Sequence, residues 1–378
     1  MAEYLRRMPY SGDAFRRRST VWSLLKLDPW LLGGLLVLTG FGLTVLNSAV
    51  DGSNAAIQRQ AIYLGIGFGG MLLAAQIPVY RYARLAPWMY LIGILALIAV
   101  LFVGVGAKGA QRWLSLGGFR FQPSEIMKLA VPLTVAWYLA KRSLPPNPKY
   151  VGATLFLMGL PAVLIFFQPD LGTAILVSVS GFFVLFLAGL SWRYITTALA
   201  VVLASIWPLW SFVMKDYQKQ RVLTLLNPES DRLGAGWNII QSKTAIGSGG
   251  WSGKGYMEGT QTLLDFLPES HTDFIIAVLA EEYGLQGVLW LVLLYLFICL
   301  RGFWISYNAH STYGRLVGAS ITLTFFVYVF VNMGMVAGIL PVVGVPLPLV
   351  SAGGTSIVTL LAGFGILMAI SQDKRQVN

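Results

Sequence analysis

The stretch Phe266-Leu267-Pro268-Glu269-Ser270-His271-Thr272-Asp273-Phe274 is the strongest local signal for chemistry in the chain. It opens a long apolar run, so Pro268 fits the approach to a helix and Ser270 or Thr272 its cap. Asp273 is then expected in the first turn. A carboxylate there can satisfy the helix dipole, worth under about 1 kcal/mol. It can also act as a partly desolvated base facing a polar cavity, since ionisable groups at the edge of a membrane bundle are functional candidates. The residues alone leave both readings open. Glu281 lies eight residues on, about 12 Å deeper at 1.5 Å per residue, with Glu282 beside it. Both fall in an apolar run, where a structural ion pair is the expected use.

A second polar cluster, Gln122-Pro123-Ser124-Glu125-Ile126-Met127-Lys128, opens another run. Pro123 suits a first helical position, and Glu125 suits the positive helix end. Glu125 and Lys128 stand three apart and can share a face. They make either a local ion pair at a helix start or one wall of a polar cavity. In the second case Lys128 offers charge to a phosphate and Glu125 steers a hydroxyl. Gln168-Pro169-Asp170-Leu171-Gly172-Thr173 reads as a tight turn in which Asp170 caps the next helix, with cavity contact as the lesser role.

Other chemistries are limited by what the chain holds. Cys299 is the single cysteine, and His271 and His310 stand far apart, so an internal disulfide and a His/Cys zinc site are not expected. A metal would sit on carboxylates, as magnesium or manganese does. Gly247–Gly255 is glycine-rich but is no phosphate loop, because Ser248 replaces the first glycine and Gly255 follows Lys254. It can form an anion-binding nest or a plain turn. Gly338–Pro348 holds three prolines and stops any helix. With Ser351–Ser356 it reads as irregular backbone, tolerated at membrane depth only where it is buried or lines a cavity.

These residues must be positioned by membrane helices. The 378 residues are 56% apolar and only 11% charged, against about 25% charged in a soluble domain. Ten apolar runs fall near residues 29–48, 58–78, 85–105, 123–140, 151–167, 171–190, 194–214, 273–300, 314–337 and 350–371. The expected fold is an all-α polytopic bundle of about ten transmembrane helices. Residues 1–28 form a basic N-terminal tail, 29–372 the bundle and 373–378 a C-terminal tail. The long polar head is no cleaved signal peptide. The basic ends place both termini in the cytoplasm, where 16 Lys and Arg compare with 11 outside, the right sign but a weak bias. The outside cations concentrate in 105–128 and 215–272. External cations near a membrane suggest an anionic ligand at headgroup depth. Segment 215–272, with 58 residues, eight glycines and several aromatics, is expected to fold over the outer mouth. No internal repeat is visible, as an inverted-repeat transporter would show.

Five pieces, in order, resemble the SEDS family (shape, elongation, division and sporulation): Phe121–Glu125, Gln168–Thr173, Gly234-Ala235-Gly236, Leu267–Phe274 and Gly338–Ser356. They cover nearly the whole chain. Val342-Val343-Gly344-Val345-Pro346 resembles the elongation member more than its division counterpart. Ala352 departs from the family, where many members have tyrosine. The resemblance implies a ten-helix peptidoglycan glycosyltransferase of the bacterial inner membrane. It would polymerise lipid II on the periplasmic side with a class B penicillin-binding protein transpeptidase and the elongation machinery, without nucleic acid. It places the family's essential aspartate at Asp273 and cavity residues at Glu125 and Lys128. The chemistry would be an inverting displacement, with Asp273 taking the acceptor hydroxyl's proton. Lys128, Arg221, Lys243 and Arg112, or a divalent cation, would stabilise the leaving pyrophosphate. A lipid II flippase is the main rival, and a scaffold for the transpeptidase is the third reading.

Overall fold

The computed structural model describes residues 25–107, 110–116, 119–214, 216–231, 235–260 and 269–373. Residues 1–24, Lys108, Lys215, Arg232, Gly234, the 266–268 piece, Lys374 and Arg375 lie outside the described residues.

In chain order the helices are α1 (Pro29–Ala49), α2 (Asn54–Gln76), α3 (Val79–Val103), α4 (Pro123–Ala140), α5 (Pro148–Phe167), α6 (Leu171–Leu187), α7 (Trp192–Pro208), α8 (Asp216–Leu226), α9 (Ala235–Gly249), α10 (Ile275–Tyr307), α11 (Thr312–Val336) and α12 (Gly354–Ser371). Each of the ten apolar runs falls on one of these. By length and composition seven can cross a membrane: α1, α3, α5, α7 with the π-helical turn Leu209–Val213, α10, α11 and α12. Helix α6 is apolar but shorter.

Between α3 and α4 the chain is not helical. Strands β1 (Val105–Ala107), β2 (Ala110–Leu116) and β3 (Phe119–Phe121) form an antiparallel sheet in that order. The register pairs Ala107 with Ala110 and Leu116 with Phe119. An all-helical expectation missed this sheet. Two residues separate each pair of strands, Lys108-Gly109 and Gly117-Gly118, which is hairpin spacing.

The bundle is packed around α4 and α11. Helix α4 touches α3, α6 and α11, and α11 touches α10 and α6. Phe325 of α11 meets Phe364 of α12 edge-on at 5.0 Å and Tyr295 of α10 at 5.7 Å. In hydrocarbon such contacts rest on close packing rather than on expulsion of water. Helices α2 and α12 make the most extensive pairing, and at Gly365 a Cβ would lie 2.5 Å from the carbonyl oxygen of Met71. At the other end of α1, Asp28 caps the helix and binds Arg301 of α10 at 2.6 and 3.0 Å.

Helix α10 is broken at Gly284 (φ 62°, ψ −162°). The break frees backbone groups, and residues 250–255 satisfy them. Lys254 and Gly255 N–H donate to the carbonyls of Glu281 and Glu282, while Leu285 and Gln286 donate to Gly250 and Trp251. The glycine-rich piece is therefore a structural dock for α10. Its neighbour α9 packs on α10 and α11.

Candidate active site

Pro123 at the first helical position starts α4 cleanly, so Glu125 sits in the first turn and Lys128 just beyond it. Glu125 is buried, Lys128 is largely so, and the two are paired, Nζ to Oε1 at 2.5 Å. Lys128 also lies over the Tyr328 ring of α11, 4.9 Å from its centroid, within cation–π range. Both sequence readings of this pair hold together: it is an ion pair, and it lines a cavity.

The cavity has a volume of 350 Å³ and is walled by Arg112, Trp113, Gln122, Glu125, Lys128, Asp170, Tyr328, the Gly344–Pro346 stretch and Ala352–Ser356. Irregular backbone on both sides of Pro348 thus lines it, as expected. Asp170 caps α6 through the Thr173 N–H at 3.3 Å. Its other oxygen accepts from Gln122 at 3.3 Å and stands 3.7 Å from Arg112 Nε. Arg112 in turn donates to the Pro169 carbonyl at 2.6 Å. The sheet therefore carries a cation to the α6 turn, and Asp170 serves as cap and as cavity wall at once.

Asp273 is not itself in the lining but stands beside Gly344, which is. It precedes Phe274, the N-cap position of α10, so it lies just outside the helix and not in its first turn. The expected caps are engaged elsewhere, Thr272 Oγ1 with Glu269 Oε2 at 2.9 Å and Ser270 Oγ with the Ala49 carbonyl. The turn is held in place by Ala352 N–H to the His271 carbonyl at 2.9 Å. Asn332 Nδ2 adds bonds to the carbonyls of Asp273 at 2.9 Å and Val345 at 2.7 Å. The Asp273 carboxylate comes beside Gly344, where a Cβ would lie 3.5 Å from Oδ2. Gly344 has φ +79°, a conformation that side chains rarely adopt.

Arg221 and Lys243 are not brought into the wall. Arg221 is exposed on α8, and Lys243 is exposed on α9 with its ammonium against Gly338. Helix α9, which carries Lys243, docks on α10 and α11, and α8, which carries Arg221, packs on α9. Glu281 is fully buried and paired with Lys254 at 2.6 Å, the structural use expected of it. Glu282 instead accepts from the Ser48 hydroxyl. Among the described residues no three His, Cys, Asp or Glu side chains gather as a metal site. Tyr328 and Asn332 are not singled out from sequence, and Gln122 is read there only as the start of a polar cluster. The signal for Asn332 was present, a lone amide within an apolar run.

With this geometry in view, the chain belongs to the FtsW, RodA and SpoVE family of cell cycle proteins, whose sequence profile matches residues 21–376. It is similar to the peptidoglycan glycosyltransferase MrdB of Escherichia coli, 52% identical over 361 residues, 96% of this chain and 98% of that one. The probable peptidoglycan glycosyltransferase FtsW of Aromatoleum aromaticum is 34% identical over 94% of this chain and 90% of its own. Among solved structures, the rod shape determining protein RodA of Thermus thermophilus superposes with TM-score 0.70 at 29% identity, covering 93% of this chain and 98% of that one. A chain of a peptidoglycan synthase complex coordinating polymerization and crosslinking superposes with TM-score 0.81 at 31% identity, covering 93% and 99%.

Proposed function

We propose that this chain is a peptidoglycan glycosyltransferase of the bacterial inner membrane, polymerising lipid II into glycan strands during elongation. The observation that carries this is 52% identity to a peptidoglycan glycosyltransferase across 96% of the chain. A polar cavity lined by two cations, Arg112 and Lys128, with the Asp273 carboxylate beside its Gly344, supports the chemistry. It works beside a class B penicillin-binding protein transpeptidase and the elongation machinery. The peptidoglycan synthase complex among its structural relatives supports that pairing.

In the finer reading the ten helices on apolar runs all span the membrane, with both tails cytoplasmic. The 215–272 segment and the cavity face the periplasm. The donor sugar carries an α-linked pyrophosphate and the new bond is β, so one in-line displacement suffices. Asp273 accepts the proton of the acceptor's 4-hydroxyl as general base. Lys128 and Arg112, set in the same wall, stabilise the charge that develops on the departing pyrophosphate. Glu125 holds Lys128 in place and orients a sugar hydroxyl. Arg221 and Lys243 stand off the wall, and we assign them to the approach of the anionic lipid. The wall carboxylates are already engaged, Glu125 by Lys128 and Asp170 by Gln122 and Arg112, so no step is assigned to a resident metal. A magnesium or manganese ion bound with the substrate would supply positive charge to the pyrophosphate without a carboxylate of the wall to hold it.

Purified protein given lipid II should lengthen glycan, and Asp273→Ala should abolish this while leaving folding and lipid II binding intact. Translocation of lipid II without polymer would identify a flippase instead. Unchanged polymerisation by Asp273→Ala would remove the carboxylate from the mechanism.

A further inference from the structure

Asn332 lies about one turn from the end of α11 and is fully buried. Its amide nitrogen donates to the carbonyls of Asp273, at 2.9 Å, and Val345, at 2.7 Å. Both protons of the amide are thereby used. The two acceptors belong to the two segments that build the site, the turn before α10 and the stretch that carries Gly344. Oδ1 is buried and makes no hydrogen bond. Leaving a buried acceptor unpaired is unfavourable. The reverse orientation would set Oδ1 against two carbonyl oxygens and lose both donors. The amide is thus held, at a cost, in the one orientation that bridges the base to the cavity wall.

We infer that Asn332 is the positioning residue for the Asp273 carboxylate, fixing it beside Gly344 of the cavity lining. It touches no reacting atom and acts through Asp273, so the inference rests on reading Asp273 as the base. Other bonds keep the two segments folded without it. Ala352 N–H binds the His271 carbonyl at 2.9 Å. Tyr295 Oη binds the Pro348 carbonyl at 2.7 Å, and Gln60 Nε2 binds that of Ser351 at 3.0 Å. Loss of Asn332 therefore displaces the carboxylate more than it unfolds the site. Leucine keeps the shape and removes both donors. Serine keeps one donor and cannot bridge two carbonyls.

The test uses purified full-length Asn332→Leu, Asn332→Ser and Asp273→Ala proteins in lipid II polymerisation, with thermal unfolding of each. We expect kcat to fall about 10²-fold in the leucine variant, as for a misplaced catalytic group. The serine variant should fall less, and KM for lipid II should stay within about threefold in both, since ground-state binding is untouched. Wild-type kcat in Asn332→Leu beside an inactive Asp273→Ala overturns the inference alone. So does a rise in KM at unchanged kcat, which marks a wall residue. Unfolding of both Asn332 variants also overturns it, because the residue is then only structural. An active Asp273→Ala overturns the underlying reading of the base, and is told apart by that variant.

Discussion

Glu125 is buried and Lys128 nearly so, and each compensates the charge of the other. Replacing Lys128 alone by methionine strands a carboxylate in low dielectric. Breaking a buried pair in this way costs about 3–5 kcal/mol. Lys128→Met should lower the unfolding temperature in detergent, and adding Glu125→Gln should restore most of it without restoring polymerisation. Recovery of activity in the double variant would show that the cation has no catalytic share. Asp273→Asn keeps the shape of the base and removes its function. Its kcat should fall by about 10²–10⁴-fold, measured as glycan formed per enzyme. At this scale the sequence was informative about pairs close in the chain. Glu125 and Lys128 are three apart, and helical geometry alone brings them together. It was uninformative about which distant cations converge. Lys128 and Arg112 reach the wall while Arg221 and Lys243 do not, because the side of the membrane is a weaker constraint than the packing of α9 on the bundle and of α8 on α9. Tyr328 and Asn332 were unseen for the same reason, since their partners lie on other helices.

Gly284 shows what an element requires of one residue. Its φ of 62° and ψ of −162° fall where only glycine is at ease, and a Cβ there would also strike the Trp251 carbonyl at 2.6 Å. Gly284→Ala should therefore cost at least about 1–3 kcal/mol in thermal unfolding. It should also loosen residues 250–255, read as faster proteolysis of that segment. Unaltered stability would mean that the break in α10 does not depend on its glycine. Helix starts are legible within about three residues at Pro123 and Pro148, whereas α3 starts at Val79, six residues before its apolar run, and α10 continues to Tyr307, seven beyond its run. The start of α12 is not legible either. The apolar pattern suggested 350, yet Ser351 Oγ accepts from Leu347 N–H and Gln60 binds the Ser351 carbonyl, which delays the helix to Gly354. The sheet after α3 is missed because the apolar pattern marks residues 106–122 only as a connection between two runs, and its two-residue spacers, which allow hairpins, carry no apolar signal.

At the scale of the whole molecule, orientation in the membrane can be tested directly. The single cysteine, Cys299, is buried, so a Cys299→Ala background is blank to thiol reagents. Trp251 and Trp192 are both exposed. In that background Trp251→Cys should react with a membrane-impermeant maleimide in intact spheroplasts, and Trp192→Cys only after permeabilisation. The opposite pattern would invert the proposed topology and place the cavity in the cytoplasm. The metal reading also belongs here, because it concerns substrate and protein together. EDTA should slow polymerisation, and magnesium or manganese should restore it. Manganese should show no saturable binding to the protein until lipid II is added. Tight binding without lipid II would point to a resident ion.

Helix α7 differs from the others in having no buried residue, whereas most of α4 and α11 is buried. Contacts within this chain therefore do little to fix its angle, which leaves it open to the thickness of the surrounding lipid. In a thinner bilayer α7 should lean over to keep its apolar length covered, while α4 and α11 hold their angles. Acyl-chain length thus becomes a mechanical variable that reaches this one helix and leaves the catalytic centre undisturbed.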